Sequence, residues 1–478
     1  MRYIWILPGL LSLWLLVVIV RALLFRPRPK KPVMGSVFPV EEEAAVQRLA
    51  EMLRFRTVSY ADREKEDPAQ FTAFREYLRQ AYPSLTAACG CPQPAGRGIL
   101  YRWKGKSDAS PTVLMAHYDV VPVVEEDWQL PPFSGVIQDD ALWGRGALDT
   151  KGTLHGIMEA AEMLLKQGFV PENDIYLAFG GDEEVFGTDA QDIIRLLESR
   201  DVKPAFVLDE GGAIVEKVFP GVHVPAAVIG TAEKGSISLE LTAGGKGGHA
   251  SAPPPKQAVG QLGRALYRLQ THPLPFRLSA PVKELFDTLG RESTFLYRLI
   301  FGNLWCFQPL LNLICSLSGG ELNALVRTTC ALTMLKGSDA VNVLPAAARA
   351  RINLRLICGD SPEAAVRQVE RIIADPSVSV RMLSGHKASA ISLTGDALWQ
   401  RLADSVSAVY PDTLVSPYLM VAGSDSRHYS EICSHVYRFS GMPLTKEERG
   451  LIHNANERIR VSQIPRTIRF YAELITRC

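Results

Sequence analysis

The residues most able to do chemistry are histidines and carboxylates in four short clusters of the first half of the chain. The clusters are His117-Tyr118-Asp119, the segment 146–152 around Asp149, Asp182-Glu183-Glu184, and Asp209-Glu210. Such groups bind divalent cations and transfer protons when the fold brings them together. Burying this many carboxylates in one place without a cation would be too unfavourable. The pattern therefore predicts a metal site.

The ligand types indicate what the metal would do. The clusters contain no cysteine, and histidine with carboxylate suits zinc, manganese or cobalt held for hydrolysis rather than a structural zinc site. His117 and Asp119 are two residues apart, so on an extended strand both face the same way and Asp119 can orient the His117 ring. Adjacent Glu183 and Glu184 can diverge at a strand end, so that one binds metal and the other faces the substrate water.

Several other classes of protein are disfavoured. The sequence contains no HExxH, GxxxxGK[ST] or GxSxG motif, and the glycine-rich segment 244–249 has the wrong spacing for a phosphate-binding loop. The 52 Lys and Arg residues almost balance the 51 Asp and Glu residues, and no basic block occurs beyond the N-terminus. We therefore expect no nucleic-acid partner.

The elements that must position the four clusters alternate between strands and helices. Predicted strands at 112–115, 175–179 and 205–208 each end at a cluster, and the 146–152 segment precedes a predicted helix at 154–165. This alternation predicts an α/β fold with a mainly parallel sheet and flanking helices. In such sheets ligands bind beyond the carboxyl ends of the strands, where the clusters would meet.

The pattern changes near Gly230. Residues 236–242 alternate apolar and polar, and the following strands and helices have the β-α-β-α-β order of a small inserted α+β, ferredoxin-like domain. Its segment 281–319 is unusually apolar, which fits either an extra helical layer of core or a lid over an apolar substrate channel. The predicted divisions are 1–36, 37–229, 230–388 and 389–478.

The first division contains an uncharged apolar run from Tyr3 to Val20, about 27 Å long as a helix. A cleaved signal peptide is the alternative, but the run exceeds the usual length of about 7–15 residues and lacks a small-x-small site. We therefore predict a single N-terminal membrane anchor and a basic linker. Arg2 precedes the run, whereas Arg21, Arg26, Arg28, Lys30 and Lys31 follow it. The positive-inside rule then favours a cytosolic body, but it is weaker for one span carrying a large domain, so the side of the catalytic domain stays open.

Three segments resemble a known family. His117–Pro122, Trp143–Gly152 and Asp182–Glu184 resemble the aminoacylase/carboxypeptidase family of di-zinc hydrolases, and the resemblance extends from about residue 40 to the C-terminus. It is strongest to the branch of carboxypeptidase S, Gly-Xaa carboxypeptidases and N-fatty-acyl-amino-acid hydrolases, which fits the hydrophobic anchor and the long insert. The resemblance implies a zinc-peptidase-like fold in which 230–388 is a lid or dimerisation domain, with a homodimer as a further expectation.

The resemblance also implies the metal ligands. Two divalent ions, zinc with cobalt or manganese as alternatives, would be held by His117, Asp149, Glu184, Asp209 and His453. Asp149 would bridge the two ions. Glu183 would be the general base, and Asp119 would support the site from behind His117.

Three residues of the inserted domain complete the implied site. His249, in the segment Gly248–Ser251, would stabilise the transition state, whereas Asn342 and Arg355 would contact the substrate. The Arg355 guanidinium offers two donors to a carboxylate. The loop 423–426 is another candidate for binding that carboxylate.

The expected reaction is hydrolysis of the amide bond next to a free C-terminal carboxylate, in a small peptide or an N-acyl amino acid. The apolar segment 281–319 favours an acyl or bulky hydrophobic substrate, so an N-fatty-acyl-amino-acid hydrolase is the alternative to a Gly-Xaa carboxypeptidase. A non-catalytic membrane-tethered binding protein is the alternative from another class, and it is disfavoured because every expected position is filled.

Overall fold

A computed structural model describes residues 6–90, 93–216 and 221–478. Arg2 and Tyr3, which belong to the predicted anchor, lie outside the described residues. The helices are α1 Ile6–Leu24, α2 Glu42–Arg54, α3 Pro68–Ala81, α4 Pro83–Cys89, α5 Lys151–Lys166, α6 Asp189–Glu198, α7 Ala258–Thr271, α8 Ala280–Glu292, α9 Phe295–Phe301, α10 Leu304–Ser318, α11 Gly320–Leu325, α12 Pro362–Ile373, α13 Ala397–Val409, α14 Lys446–Arg449 and α15 Ile464–Thr476. The strands are β1 Gln93–Ala95, β2 Gly98–Trp103, β3 Ser107–His117, β4 Val136–Gln138, β5 Ala141–Trp143, β6 Asn173–Gly180, β7 Phe206–Asp209, β8 Ile214–Val215, β9 Ala226–Glu233, β10 Gly235–Gly244, β11 Gly248–His249, β12 Thr329–Lys336, β13 Val343–Leu344, β14 Ala347–Leu356, β15 Val378–His386, β16 Leu414–Met420, β17 Val436–Arg438, β18 Pro443–Leu444 and β19 Arg458–Arg460.

The larger sheet is mixed and has ten strands. Its order is β1-β2-β6-β3-β7-β17-β9-β8-β18, and β16 pairs with β9. The neighbours β6, β3, β7 and β17 run parallel, whereas β2 joins β6, and β9 joins β17, in the antiparallel sense. The predicted α/β fold with a sheet between helices is confirmed, with the parallel pairing concentrated in the centre.

Helices cover the larger sheet because their apolar faces need burial. On α5, Leu154, Ile157 and Ala161 are buried in the main core, and α15 packs directly against this helix. Gly156 permits the close approach, since a Cβ atom there would lie 2.9 Å from a methyl carbon of Thr467. On α6, Ile193 belongs to a second, smaller apolar cluster.

The smaller sheet is antiparallel, with the order β12-β14-β10-β15. Along β10 buried residues alternate with half-buried ones, as the pattern of 236–242 predicts. Helices α7 and α12 contribute to its separate core. The hydroxyl of Ser361 accepts a hydrogen bond from the amide of Ala364, and Pro362 opens the helix, so that α12 begins where its sequence indicates. The predicted α+β insert is confirmed, whereas the domain limits at 36, 229 and 388 stay predictions.

The first and the last connection between the two sheets lie side by side. Lys234 joins β9 of the larger sheet to β10 of the smaller one, and the chain returns just after His386. The outgoing and returning backbones touch at Gly235, where a Cβ atom would lie 2.5 Å from the nitrogen of Ala388 and 2.6 Å from the carbonyl oxygen of His386. Only glycine fits this crossing.

The apolar segment 281–319 divides into two environments. The apolar face of α8 is buried next to β16, which corresponds to the extra helical layer of core. By contrast, α10 buries only Leu311 and Cys315 of its fifteen residues, all of which lie in the described part of the chain. The outer face of α10 is therefore not part of the core.

Helix α1 is apolar and mostly exposed. The stretch Leu7–Leu24 is long and apolar enough to cross a membrane. Its buried residues, Val18 and Ala22, lie towards α9, which packs against α1. A membrane span and a signal sequence both have these properties.

Candidate metal centre

Three adjacent parallel strands bring the acidic and histidine clusters to one edge of the larger sheet. His117 is the last residue of β3 and lies beside Gly180, the last residue of β6. Asp209 ends β7 on the other side of β3. The residues that follow β6, including Glu183 and Glu184, therefore leave the sheet next to His117.

Four side chains form the centre of this edge. The Nε2 atom of His117 lies 3.0 Å from Oδ1 of Asp149, and the Nε2 atom of His453 lies 2.9 Å from Oδ2 of the same carboxylate. His453 is also 3.1 Å from Oε2 of Glu184. Asp149 thus lies between two imidazoles and offers one oxygen to each, an arrangement suited to a carboxylate that bridges two cations.

A second buried acid holds Asp149 in place. The carboxylate of Glu457 accepts hydrogen bonds from the amides of Leu148 at 2.7 Å and Asp149 at 3.2 Å, and from the Arg145 guanidinium at 2.6 Å. Glu457 is fully buried. Sequence reasoning did not assign Glu457 a role.

Asp119 organises the turn that carries the two glutamates. Its oxygens accept hydrogen bonds from the amides of Glu183 and Glu184, both at 3.2 Å, and from the hydroxyl of Ser59 at 2.7 Å. The Nδ1 atom of His117 lies 3.3 Å from Oδ1 of Asp119. The buried carboxylate of Asp119 therefore contacts the ring of His117 and the backbone amides of Glu183 and Glu184.

The first acid of the 182–184 triplet has a different environment from the other two. Asp182 accepts hydrogen bonds from the amides of Thr188 and Asp189, both at 3.1 Å, and pairs with Arg63 at 2.8 Å. These contacts tie its carboxylate to the start of α6. Glu183 and Glu184 remain for the chemistry of the site.

The electrostatics of the cluster favour bound cations. Burial raises the pKa of Glu183 well above its usual range, and neighbouring Asp425, Glu210 and Glu184 raise it further. Burial also raises the pKa of Glu184, whose Oε1 atom is buried and has no hydrogen-bond partner among the described residues. Divalent cations would relieve both the repulsion and the missing partner, so the donor set fits a metal site.

The two acids at the end of β7 have different surroundings. The Oδ2 atom of Asp209 accepts a hydrogen bond from the amide of Ser426 at 3.0 Å. Burial, followed by the charge of Asp149, raises the pKa of Glu210 well above its usual value. Glu210 is therefore influenced by the charge of the cluster, whereas sequence reasoning, which named both acids, gave the ligand role to Asp209.

Two candidate residues of the inserted domain lie together on its surface. His249 is exposed, and its Nδ1 atom is 2.8 Å from the hydroxyl of Ser251. The carbonyl of Asn342 accepts a hydrogen bond from the amide of Ala250 at 3.0 Å, beside the β11–β13 pair. The structure thus groups His249 with Asn342 rather than with the His117–Asp149 cluster.

Arg355 lies elsewhere in the smaller sheet. It stands opposite Ser236 in the β10–β14 pair. Burial lowers its pKa, an effect that the nearby Glu233 opposes. Arg355 is therefore close to the crossing between the two sheets.

Comparison with known proteins gives one family and a consistent set of relatives. The model described as "Peptidase family M20/M25/M40" matches residues 113–477. The chain is 36% identical to "Probable carboxypeptidase S-like 2" of Dictyostelium discoideum, covering 90% of this chain and 84% of that protein. It is also 36% identical to "N-fatty-acyl-amino acid synthase/hydrolase PM20D1" of Xenopus tropicalis, covering 91% and 86%. The fold matches the crystal structure of an M20 family metallo-carboxypeptidase from Sulfolobus solfataricus with a TM-score of 0.67, at 18% identity, covering 90% of this chain and 98% of that one.

Proposed function

Because the chain belongs to the peptidase family M20/M25/M40, we propose that the cluster around Asp149 is its catalytic centre. The protein is a metallohydrolase of amide bonds. The observation that carries the assignment is the Asp149 carboxylate between His117 and His453, beside Glu184 with its unpartnered oxygen. These four residues would hold two divalent cations together with Asp209 or Glu210, zinc being the first candidate and cobalt or manganese the alternatives.

The bound cations would lower the pKa of the attacking water and polarise the scissile carbonyl. Glu183 takes the proton of that water and passes it to the leaving amine. Its raised pKa suits this role, because a carboxyl that holds a proton near neutral pH can both accept and donate it. Asp119 holds the backbone of Glu183 in the turn beside the cluster.

The substrate carries a free carboxylate next to the amide bond. Arg355 is the candidate for binding that carboxylate with two parallel hydrogen bonds, and Asn342 for binding the backbone of the substrate. His249 would donate a hydrogen bond to the developing oxyanion. These three residues would reach the substrate through closure of the inserted domain or across a homodimer.

Two substrate classes fit this chemistry. The relatives include a carboxypeptidase S-like protein and an N-fatty-acyl-amino acid synthase/hydrolase, and we extend both hydrolytic activities to this chain as candidates. Both classes share the amide bond and the terminal carboxylate, and they differ in the size of the apolar group on the amine side.

A side-by-side assay tests the proposal. We expect the protein to hydrolyse Gly-Leu, an N-oleoyl amino acid, or both, and the methyl ester of the better substrate at least about tenfold more slowly because it lacks the carboxylate charge. Arg355→Lys should reduce this preference, since lysine cannot form the same paired hydrogen bonds. Equal rates on acid and ester would contradict the proposed carboxylate recognition, and no hydrolysis of either substrate would contradict the activity.

We also propose that α1 is retained as a single N-terminal membrane anchor. Its uncharged length up to Arg21 and its mostly exposed surface support this role. The basic residues after it would lie at the membrane surface.

A further inference from the structure

The surface of α10 is unusual for a protein in water. No charged residue occurs between Arg298 and Glu321. Its outward face includes Trp305, Leu313 and Leu317, which are 55%, 54% and 79% exposed. The exposed polar residues of α10, Gln308, Ser316 and Ser318, are uncharged. An exposed surface this rich in large apolar side chains is normally covered by another protein or by a membrane.

The same helix begins beside α1. The side-chain amide of Asn303, just before α10, donates a buried hydrogen bond of 3.0 Å to the carbonyl of Val18. The Nε atom of Arg21 donates to the carbonyl of Gly302 at 3.2 Å. The ring of Phe307 is 6.2 Å from that of Trp14. The start of α10 therefore lies level with the middle of α1.

The linker after α1 is docked on the rest of the chain. Arg28 pairs with Asp287 of α8 at 2.8 Å, and Lys30 donates to the carbonyl of Thr413 at 3.3 Å. Phe38 is buried. These contacts hold α1 in a fixed position, so α1 cannot enter a bilayer without bringing α10 to the same surface.

We propose that α10 enters the phospholipid bilayer beside α1 and forms a second lipid contact of the enzyme. The proposal rests on the membrane anchor proposed above. At about 1.5 Å per residue α10 is about 22 Å long, too short to span a hydrocarbon core of about 30 Å, and it fits in one leaflet of about 15 Å when its axis is strongly tilted from the membrane normal. Its axis is bent by 106° from that of α9, which lets it leave the protein body beside α1.

The ligand of this surface is the acyl region of a phospholipid leaflet. Continuity with α1 favours lipid over a second protein chain, because the outer faces of both helices are mostly apolar and the residues just before α10, Gly302 and Asn303, are hydrogen-bonded to α1. A second copy covering α10 is the competing occupant. It would leave lipid excluded from this helix, which the experiment measures directly.

The test uses the full chain in phosphatidylcholine nanodiscs that contain a phosphatidylcholine with a photoactivatable group in its acyl chain. Peptides carrying lipid after illumination are identified by mass spectrometry. We expect crosslinks in both 7–24 and 304–318. Crosslinks in 7–24 alone would overturn the role of α10 and leave the anchor intact. Crosslinks in 304–318 but not in 7–24 would support the lipid contact of α10 and contradict α1 as a retained anchor.

Two double variants extend the test, one on α10 and one elsewhere as its control. Leu313→Asp with Leu317→Asp should reduce lipid crosslinking of 304–318 about tenfold or more and leave that of α1 unchanged, because charges enter a leaflet at a high free-energy cost. Ile137→Asp with Val170→Asp changes residues of the larger domain that are 41% and 49% exposed, and it should change neither signal. Hydrolysis of a water-soluble substrate reports folding of both. Crosslinks in neither segment would overturn the proposal.

Discussion

The metal centre and α10 both depart from the usual arrangement of charged side chains at the surface and apolar side chains in the interior. Around Asp149 charged side chains are gathered inside the protein, with His117 only 2% exposed, whereas on α10 leucines and a tryptophan face outward. Each arrangement is unfavourable for the chain alone, the first through desolvation and repulsion and the second through exposed apolar surface. The difference indicates two compensating partners, cations in the interior and lipid at the surface.

Removing the cations should inactivate the metal centre and leave the lipid contact of α10 unchanged. We expect a chelator to reduce hydrolysis to background and to lower the thermal unfolding temperature, because a ligand at 100 times its Kd contributes about 2.7 kcal/mol. Added zinc, cobalt or manganese should restore both. Lipid crosslinking of α10 should not change. Full activity in a metal-free preparation would contradict the two-cation site.

Replacing the proposed base separates chemistry from metal binding. We expect Glu183→Ala to lower kcat by about 10²–10⁴, since positioned general bases contribute that much, and to keep its metal content. The matched variant Glu184→Ala should lose metal instead, because its carboxylate belongs to the proposed ligand set. Elemental analysis of both variants checks this, and metal loss or full activity in Glu183→Ala would show that another residue is the base.

We expect a smaller effect from replacing a buried carboxylate that is paired with a cationic side chain of the protein. Glu159 of α5 accepts a 2.7 Å hydrogen bond from Arg48 and a 2.9 Å hydrogen bond from the hydroxyl of Tyr82. Burial acts to raise its pKa, but the hydrogen bonds of Arg48 and His155 lower it on balance below the ordinary value of 4.5. The stabilisation is therefore present above pH 4.5 and is lost as the pH falls below that value.

Glu159→Gln should then lower the free energy of unfolding by about 1–3 kcal/mol at pH 7, and the difference from the unmodified chain should narrow towards pH 4. Urea unfolding of both proteins after chelation measures it without a metal contribution. Activity and metal content before chelation should be unchanged. A difference that stays constant between pH 7 and pH 4 would show that the charge of Glu159 is not its source.

Local patterns were sufficient for the elements that carry the site. Apolar runs predicted β3, β6 and β7, and the acids that follow them are visible without knowing the pairing. The start of α12 also has a local signal, because the hydroxyl of Ser361 caps the helix and Pro362 opens it. These signals all lie within a few residues of the element they describe.

Contacts between distant residues were not predictable in the same way. The proximity of Asp149 to His453 came from family resemblance alone, and no local signal shows that Glu457 holds the loop of Asp149. Whether Asp209 or Glu210 faces the cluster depends on the amide of Ser426, more than 200 residues away. Likewise, 281–319 is one apolar segment in sequence, and only packing separates the buried α8 from the exposed α10.

The crossing at Gly235 has a mechanical consequence. The two connections that touch there are joined by two more, at 272–279 and 326–328, because the helices α8–α11 between them bury residues in the main core. A rotation of the smaller sheet about Gly235 would therefore have to bend these two segments as well. If Arg355 closes on the Asp149 cluster as proposed, the reach of these segments would limit how far it travels.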